Sequence, residues 1–561
     1  MKRHFIIIAA VAMSIASLSA ATSNKKEVSR NLDIFTSIYK TINTMYVDSI
    51  DANKSITTAI NAMLNEIDPY TEYIPEEMQE DFKTISTGEF GGIGAYIWQN
   101  KAKETFVSEP QEGTPSDKSG LKAGDVFLTI DGDSVRTLGS DKVRDRLRGQ
   151  AGTRLNVTVR RPLADRDTIL SIDITRAKID VATMPYYGVV RDTVGYIVLT
   201  TFNEKSYPEV KRAVTELIAD PRVKGIAIDL RGNGGGLLES AVNIVSLFVP
   251  KGTEVLRTRG RAITNEKTYR TTYSPVAPDI PLAILVDGSS ASSSEIVAGA
   301  LQDLDRAVII GERSYGKGLV QSTFPLPYNG MVKVTTQRYY IPSGRLIQAI
   351  DYSHRNPDGT VARTPDSLTN VFYTRAHRQV RDGGGITPDI KIEYPDISRL
   401  TYNIVAGNHH FDFATKYAAA HASIPSPEEF VMTDKIYDEF KRSIDPASIE
   451  YDKVCETILD QLESAAKREG YLDDSVKQQI ADLRKSLQHD LEKDLDTNRQ
   501  QISEYLAAEM LRRYYYNRGA IAYDVRFDSG IARAARLFGD PQEYVSILSA
   551  PEATQSGKDK K

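Results

Sequence analysis

Leu282-Ala-Ile-Leu-Val286, running directly into Asp287-Gly-Ser-Ser-Ala-Ser-Ser-Ser-Glu-Ile-Val-Ala-Gly-Ala-Leu301, is the stretch that decides the fold. It reads as a buried strand, a tight turn of small residues, and a helix. A hydroxyl held at such a helix start sits where backbone N–H groups and the helix dipole favour developing negative charge. A second segment has the same opening. Ala307-Val-Ile-Ile310 runs into Gly311-Glu-Arg-Ser-Tyr-Gly-Lys-Gly-Leu-Val-Gln321, which places one lysine, Lys317, between two glycines. A serine nucleophile needs a base, and a desolvated lysine can be neutral enough to serve. No histidine lies between His4 and His354, so a Ser-His-Asp arrangement would have to draw its histidine from outside this region. Ser292-x-x-Glu295 ahead of an apolar run is also a capping box. The two readings are compatible, because a nucleophile can cap its own helix.

Outward from these segments, residues 194 to 394 alternate strand and helix. Gly195 to Leu199 and Gly225 to Leu230 read as strands, and Tyr207 to Ala219 and Leu237 to Phe248 as helices. The loop Arg231-Gly-Asn-Gly-Gly-Gly236 joins a strand to a helix. It lacks the Lys-Ser/Thr of a phosphate-binding loop, and Leu237 stands where a dinucleotide loop has its third glycine. Glycines at such a turn let backbone N–H groups approach a ligand closely.

Upstream, residues 26 to 84 carry helical spacing through Leu32, Phe35, Ile38 and Ile42, then Ile56, Ile60, Met63 and Leu64. Asp68-Pro69-Tyr70 ends the second helix. A glycine-rich stretch follows, Gly88-Glu-Phe-Gly-Gly-Ile-Gly-Ala-Tyr-Ile97, then Gly113-Thr-Pro-Ser-Asp-Lys-Ser-Gly-Leu-Lys-Ala-Gly-Asp-Val-Phe-Leu-Thr-Ile-Asp-Gly132, a helix near Ser140 to Leu147, and Leu155-Asn-Val-Thr-Val-Arg160. These segments resemble a PDZ domain. Gly92, Ile93 and Gly94 match its carboxylate-binding loop, and the strand from Ala95 can take a peptide as an added strand. Beyond Tyr394 the chain is helical and charged, with an apolar stripe through Val454, Ile458 and Leu462. It reads as a helical extension, suited to homo-oligomerisation or to docking an adaptor, with its charges solvated.

The chain has 561 residues, 41% hydrophobic and 26% charged, with a formal net charge of -5. No basic block points to nucleic acid. Lys2-Arg3, an apolar run from Phe5 to Leu18, and Ser19-Ala20-Ala21 have the form of a cleaved export signal. Cys455 is the single cysteine, which leaves no internal disulfide.

Taken in order, the PDZ segment, the glycine loop, Ser-x-x-Glu and Gly-Lys-Gly-x-x-Gln resemble the C-terminal processing peptidases, or tail-specific proteases, over residues 27 to 395. Asp68-Pro69-Tyr70-Thr71-x-Tyr73 and Gly383-Gly-Gly-Ile-x-Pro-Asp389 are similar to two further segments of that family. The resemblance implies an α/β fold: a crotonase- or ClpP-like peptidase core at 179–395 with an inserted PDZ domain at 88–178. An N-terminal helical segment (22–87) follows the signal (1–21), and a helical extension (396–550) and polar tail (551–561) close the chain. It implies a serine endopeptidase with Ser292 as nucleophile, Lys317 as general base and Gln321 orienting the lysine. Backbone N–H groups of the Asn233-Gly234-Gly235 loop and of Ser293 would serve the oxyanion. No metal or organic cofactor is implied, and the partners are protein or peptide substrates with free C-termini. The run Ser289-Ser-Ala-Ser-Ser-Ser-Glu295 has one serine more than many members, so the choice of Ser292 over Ser294 rests on the resemblance. Two alternatives stand beside it: a PDZ peptide-binding scaffold on a dead core, and a crotonase-like acyl-CoA enzyme. The export signal and PDZ segment argue against the second.

Overall fold

The computed structural model describes residues 25–261, 266–352, 354–356, 360–449, 454–487 and 490–550. The expected export signal and the polar tail lie outside the described residues. The chain divides into two units, residues up to Glu76 with Gln321–Thr335, and Glu77–Val320 with Thr336 onward.

In the first unit a helix over 25–45 precedes Ala52–Asn65, whose start is capped by Asp51 accepting the Lys54 N–H at 3.0 Å. Leu32, Phe35, Ile38 and Ile42, the apolar positions that suggested the first helix, are exposed. Asp68 is buried, and its Oδ1 accepts the N–H groups of Tyr70 at 2.8 Å and Thr71 at 2.7 Å. This side-chain turn stops the helical run and aims the chain into a short strand, Glu72–Ile74, paired antiparallel with Met331–Lys333. That strand was not legible beforehand, because its partner lies more than 250 residues away.

The core of the second unit is one six-stranded sheet: β1 (Tyr186–Val190), β2 (Val194–Val198), β3 (Gly225–Asp229), β4 (Leu282–Val286), β5 (Val308–Gly311) and β6 (Ile390–Lys391), paired in chain order. β1 is antiparallel to β2, and every later pairing is parallel. Parallel neighbours need crossover connections. From β2 to β5 these carry the helices α1 (Ser206–Ala219), α2 (Leu238–Val245) and α3 (Ser293–Asp303). Side chains alternate between the sheet's faces. Ile197, Ile228 and Ile284 pack with Val210, Val214, Ile244 and Val297 under these helices.

The opposite face is covered from the far end of the chain. α4 (Arg499–Asp524) leads to α5 (Ser529–Gly539) and α6 (Pro541–Leu548). Ile531, Ala534, Leu537 and Phe538 of α5 bury against Tyr196, Ala227, Ala283, Leu285, Val308 and Ile310. The Tyr544 hydroxyl of α6 accepts the Leu282 N–H at 2.9 Å. The helical extension expected from residue 396 thus sends its last two helices back onto the sheet. Helix Val454–Glu469 lies in the same region. Its apolar stripe, Val454, Ile458 and Leu462, is exposed, and Leu459 is the residue it buries.

The inserted domain forms its own sheet, Ala95–Gln99, Thr105–Pro110, Val126–Ile130, Arg154–Pro162 and Asp167–Thr175 in that order, with Val143 and Leu147 of helix Ser140–Leu147 in its core. It leaves and re-enters through a two-stranded ribbon, Glu89–Gly92 with Ala177–Asp180. α4 holds it from the other side. The helix breaks at Tyr516 (φ 55°, ψ -169°). Tyr516 donates its hydroxyl to Asp117 at 2.8 Å, and the Asn517 N–H reaches Glu109 at 2.9 Å.

Gly225 opens β3 with no side chain because an added Cβ would lie 2.4 Å from the Phe538 ring. Truncating that ring empties the space between α5 and the sheet. Phe538→Ala should therefore lower the stability of the second unit by roughly 3–5 kcal/mol, read as an earlier transition in chemical denaturation. An unchanged transition would mean that α5 does not hold the sheet.

Candidate active site

β4 and β5 run parallel, Val286 beside Gly311, so both motif loops leave the sheet at the same edge. After β4 the turn is fixed by Asp287, whose Oδ1 accepts the N–H groups of Ser289 at 3.0 Å and Ser290 at 2.9 Å. The Ser290 hydroxyl donates to Leu230 O at 2.8 Å. The chain then passes through Ser292 at φ 56°, ψ -113°, a backbone conformation that a non-glycine residue adopts only under strain, and enters α3. A strained strand-to-helix turn of this kind lifts a side chain out over the sheet edge.

The neighbouring serines are accounted for. Ser293 and Ser294 are buried, and their hydroxyls donate to Gly236 O at 2.9 Å and Asn233 O at 2.8 Å. Ser292 is half-buried. Of the two serines left open by the sequence, Ser294 thus gives its hydroxyl to the glycine loop.

Glu295, one turn into α3, is fully buried. Its Oε2 accepts the Ser292 N–H at 2.9 Å, the carboxylate half of the expected capping box. The same oxygen accepts the Lys317 N–H at 2.8 Å. Oε1 takes the Ser314 hydroxyl at 2.5 Å and the Gly316 N–H at 2.7 Å. Burial raises the Glu295 pKa above the usual carboxylate range, and these four donors counter part of the rise. From the other side, the buried Tyr339 hydroxyl lies 2.8 Å from Lys317 O and 3.2 Å from Ser292 O. Burial first, and then Glu295, hold Tyr339 neutral, its pKa well above the usual tyrosine value. One carboxylate and one phenol therefore tie together the backbones of the two residues singled out in the sequence.

The glycines around Lys317 are required by close approach. A Cβ on Gly316 (φ 89°) would meet Ala349 Cβ at 2.4 Å, and one on Gly318 would meet Gln348 N at 2.9 Å. Lys317 itself is half-buried. Gln321 belongs to the other unit, where its Nε2 donates to Thr335 Oγ1 at 3.1 Å.

The glycine loop follows β3. Asn233 is its anchor: Nδ2 donates to Leu199 O at 2.7 Å, the backbone O accepts the Ala291 N–H at 3.1 Å, and Oδ1 accepts the Gly235 N–H at 2.9 Å. Gly235 (φ 104°) lies against the serine turn, where an added Cβ would be 2.8 Å from Ser292 Cβ and 3.0 Å from Ser293 N. Only glycine fits there. Its N–H, expected to face an oxyanion, is held by Asn233. Gly234 and Ser293 carry no described hydrogen bond from their N–H groups.

In the inserted domain, Gly92, Ile93 and Gly94 are buried at the mouth of strand Ala95–Gln99, which forms the sheet edge. The loop is braced by Ser116, whose N–H donates to Ile93 O at 2.8 Å and whose hydroxyl donates to Gly94 O at 2.6 Å. A Cβ on Gly94 (φ 75°) would meet Thr114 Cβ at 2.5 Å.

Sequence reasoning found Glu295 as a cap and missed its bond to Lys317. It missed Tyr339 altogether. The spacing of Ser292-x-x-Glu295 carried the first signal, whereas nothing local distinguishes Tyr339 from Tyr340. Glu295→Gln keeps the shape and replaces an acceptor by an NH2 group facing N–H donors. Either oxygen accepts two donors, and of the four only the Ser314 hydroxyl can turn to accept instead. With at least one buried donor orphaned at about 1–3 kcal/mol, the variant should denature earlier by at least that amount, while Ser289→Ala at the exposed turn should not shift the transition. Equal stability of Glu295→Gln and the parent would contradict the tie.

Residues 193–354 match Peptidase family S41, 106–161 a PDZ domain, 400–538 the C-terminal helical domain of a probable PDZ-protease, and 4–78 the N-terminal domain of the activating protease CtpB. The chain is 36% identical over 379 residues to the carboxy-terminal-processing protease of Bartonella bacilliformis, covering 67% of this chain and 85% of that one. It is 31% identical over 409 residues to a probable CtpA-like serine protease of Staphylococcus aureus, covering 73% and 79%. A photosystem II D1 C-terminal processing protease aligns at 25% identity and a TM-score of 0.34, covering 64% of this chain and 92% of that one. By the family models and the two sequence relatives the chain belongs to peptidase family S41, as a PDZ-containing serine protease of the carboxy-terminal-processing group.

Proposed function

We propose that Ser292 is the nucleophile and Lys317 the general base of peptide-bond hydrolysis, with Gln321 orienting the lysine. The observation that carries this reading is the shared acceptor: Glu295 Oε2 takes the backbone N–H of both residues, at 2.9 and 2.8 Å. A nucleophile and its base must stay in register through several proton transfers, and a common buried carboxylate keeps their backbones together.

Neutral Lys317 takes the proton from Ser292 Oγ as that oxygen attacks the substrate carbonyl carbon. The C–O bond forms, and the carbonyl electron pair moves onto oxygen. The N–H groups of Gly234 and Ser293 are the donors best placed to receive that charge at the start of α3. The C–N bond then breaks, and the Lys317 ammonium returns its proton to the leaving amine. Water, deprotonated by Lys317, then attacks the ester carbon; the bond to Ser292 Oγ breaks, the acid leaves, and the Lys317 ammonium returns its proton to Ser292 Oγ.

Substrate capture falls to the inserted domain. The Gly92, Ile93 and Gly94 N–H groups take a C-terminal carboxylate, and strand Ala95–Gln99 adds the last substrate residues to its free edge. The charged, apolar and small-residue segments of residues 1–21 support an exported enzyme that acts outside the cytoplasm, in the periplasm or its equivalent. Among the described residues no helix is long and apolar enough to cross a membrane.

Arginine keeps the charge of lysine but does not deprotonate in a protein. Lys317→Arg should therefore be as inactive as Lys317→Ala and Ser292→Ala, each at least about 10³-fold below the parent in kcat, with folding intact by circular dichroism. Substantial activity in Lys317→Arg would make the lysine an electrostatic or structural residue. An unfolded substrate with an amidated C-terminus should be cleaved more slowly than its free-acid twin at sub-saturating concentration, with kcat near the parent value. Equal progress curves would remove C-terminal capture from the account.

A further inference from the structure

The glycine loop 231–236 has four glycines in six residues, and a chain of that composition does not hold one conformation unaided. Its middle is anchored by Asn233, and its far end by the Phe202 N–H donating to Gly235 O at 3.1 Å and the Leu237 N–H to Phe202 O at 2.7 Å. At its start, Gly232 N–H donates to both oxygens of Asp287 at 3.1 Å, and Arg231 supplies the remaining anchor.

The Arg231 guanidinium is mostly buried and bonded on all sides. Nε donates to Asp229 Oδ1 at 2.9 Å and Nη2 to Asp229 Oδ2 at 2.5 Å. Nη1 donates to the Tyr394 hydroxyl at 2.9 Å and to Asp528 Oδ2 at 2.7 Å. Asp229 is further engaged by the Tyr196 hydroxyl at 2.6 Å. Asp528 comes from the helical region, far along the chain from the serine and lysine motifs. It divides its two oxygens. Oδ1 caps α5 by accepting the Ile531 N–H at 2.8 Å, and Oδ2 takes Arg231. α5 is itself pinned to the sheet by Ile531, Leu537 and Phe538, and a Cβ on Gly530 would meet Leu285 Cδ2 and the Tyr394 hydroxyl at 2.9 Å. Asp528 thus carries the rigidity of a packed helix to the first residue of the loop.

We propose that Asp528 is a positioning residue for the reaction: acting through Arg231, it fixes the loop that presents Gly234 to the developing oxyanion, and so makes the C-terminal helices part of the catalytic apparatus. The proposal rests on the Ser292 reading above. A two-point fork from Arg231 to Asp229 sets the guanidinium's plane, and the third contact, to Asp528, sets where along the sheet edge that plane sits. Neutralising Asp528 leaves the fork intact and the loop free to slide, which weakens stabilisation of the tetrahedral intermediate without touching substrate capture.

The test uses Asp528→Asn in the full-length enzyme. Asparagine caps a helix as well as aspartate, so α5 is retained, while the ion pair is lost. The readouts are the melting temperature, kcat and KM on an unfolded protein substrate, and the inhibition constant of a peptide boronate, which forms a tetrahedral adduct on a catalytic serine. Asp473→Asn, the same exchange at the exposed cap of helix Asp474–Ser486, serves as control. The expected result is a 10- to 100-fold fall in kcat, KM within about twofold of the parent, boronate affinity lowered by the same factor as kcat/KM, and no effect of Asp473→Asn. In an Arg231→Gln background, Asp528→Asn should add nothing further. Parent-like kcat in Asp528→Asn overturns the proposal, as does a fall in kcat with unchanged boronate affinity. Unfolding of both Asp528→Asn and Asp528→Ser below the assay temperature overturns it too, because Asp528 would then be a folding residue alone. A parent enzyme that the boronate does not inhibit would instead sink the Ser292 reading, leaving the two failures distinguishable.

Discussion

The buried Glu295 carboxylate is the constraint on which the arrangement of this site depends. Taking a carboxylate out of water is expensive unless hydrogen bonds replace the solvent, and the four described donors to Glu295 are all neutral: two from the Ser314 hydroxyl and Gly316 N–H, two from the backbones of Ser292 and Lys317. None of them can be withdrawn without exposing the charge to an apolar interior. The start of α3 and the Gly-Lys-Gly loop are therefore locked to one another by the requirement to solvate a single side chain. Because Oε2 is shared, the sum of two hydrogen bonds bounds the separation of the Ser292 and Lys317 nitrogens. Tyr339 closes the same pair from the carbonyl side.

That lock also explains how a strained residue persists. Ser292 sits at positive φ, a conformation worth of order 1–3 kcal/mol of strain. It survives because its N–H is held by Glu295, its neighbours' hydroxyls are held by the glycine loop, and Gly235 packs directly against its Cβ. Ser292 is half-buried where Ser290, Ser293 and Ser294 are buried. The loops are in turn carried by a sheet whose second face is covered by α5 and α6, so the geometry at Ser292 depends on helices contributed from the far end of the chain.

Much of this was legible in the sequence because the signals were local. The strand-turn-helix at 282–301, the glycines at 232–236, the Gly-Lys-Gly loop and the PDZ segment each read correctly in type. Long-range constraints were not. The strand Glu72–Ile74 exists only through its pairing with Met331–Lys333, and the bond from Glu295 to Lys317 spans a crossover. The packing of α5 on the sheet was not legible, because its partner residues, Ala227, Ala283 and Ile310, lie on strands whose own runs are apolar on both faces and so do not announce what covers them. Val454, Ile458 and Leu462 do lie on a helix and are exposed: helical spacing identifies the helix and leaves open which stripe is buried. The Gly235 N–H was assigned to an oxyanion because a glycine loop suggests free amides, whereas an asparagine two residues earlier already receives it.

The central claim is that a peptide acyl group passes through Ser292. Rapid acid quench of a single turnover on an unfolded substrate, followed by proteolytic mapping of the enzyme by mass spectrometry, tests it most directly. The account predicts a transient ester on Ser292 carrying the N-terminal part of the substrate, rising and decaying within one turnover. An ester on Ser293 or Ser294, or product formation with no acylated enzyme at any time and no burst of the released C-terminal fragment, would contradict it.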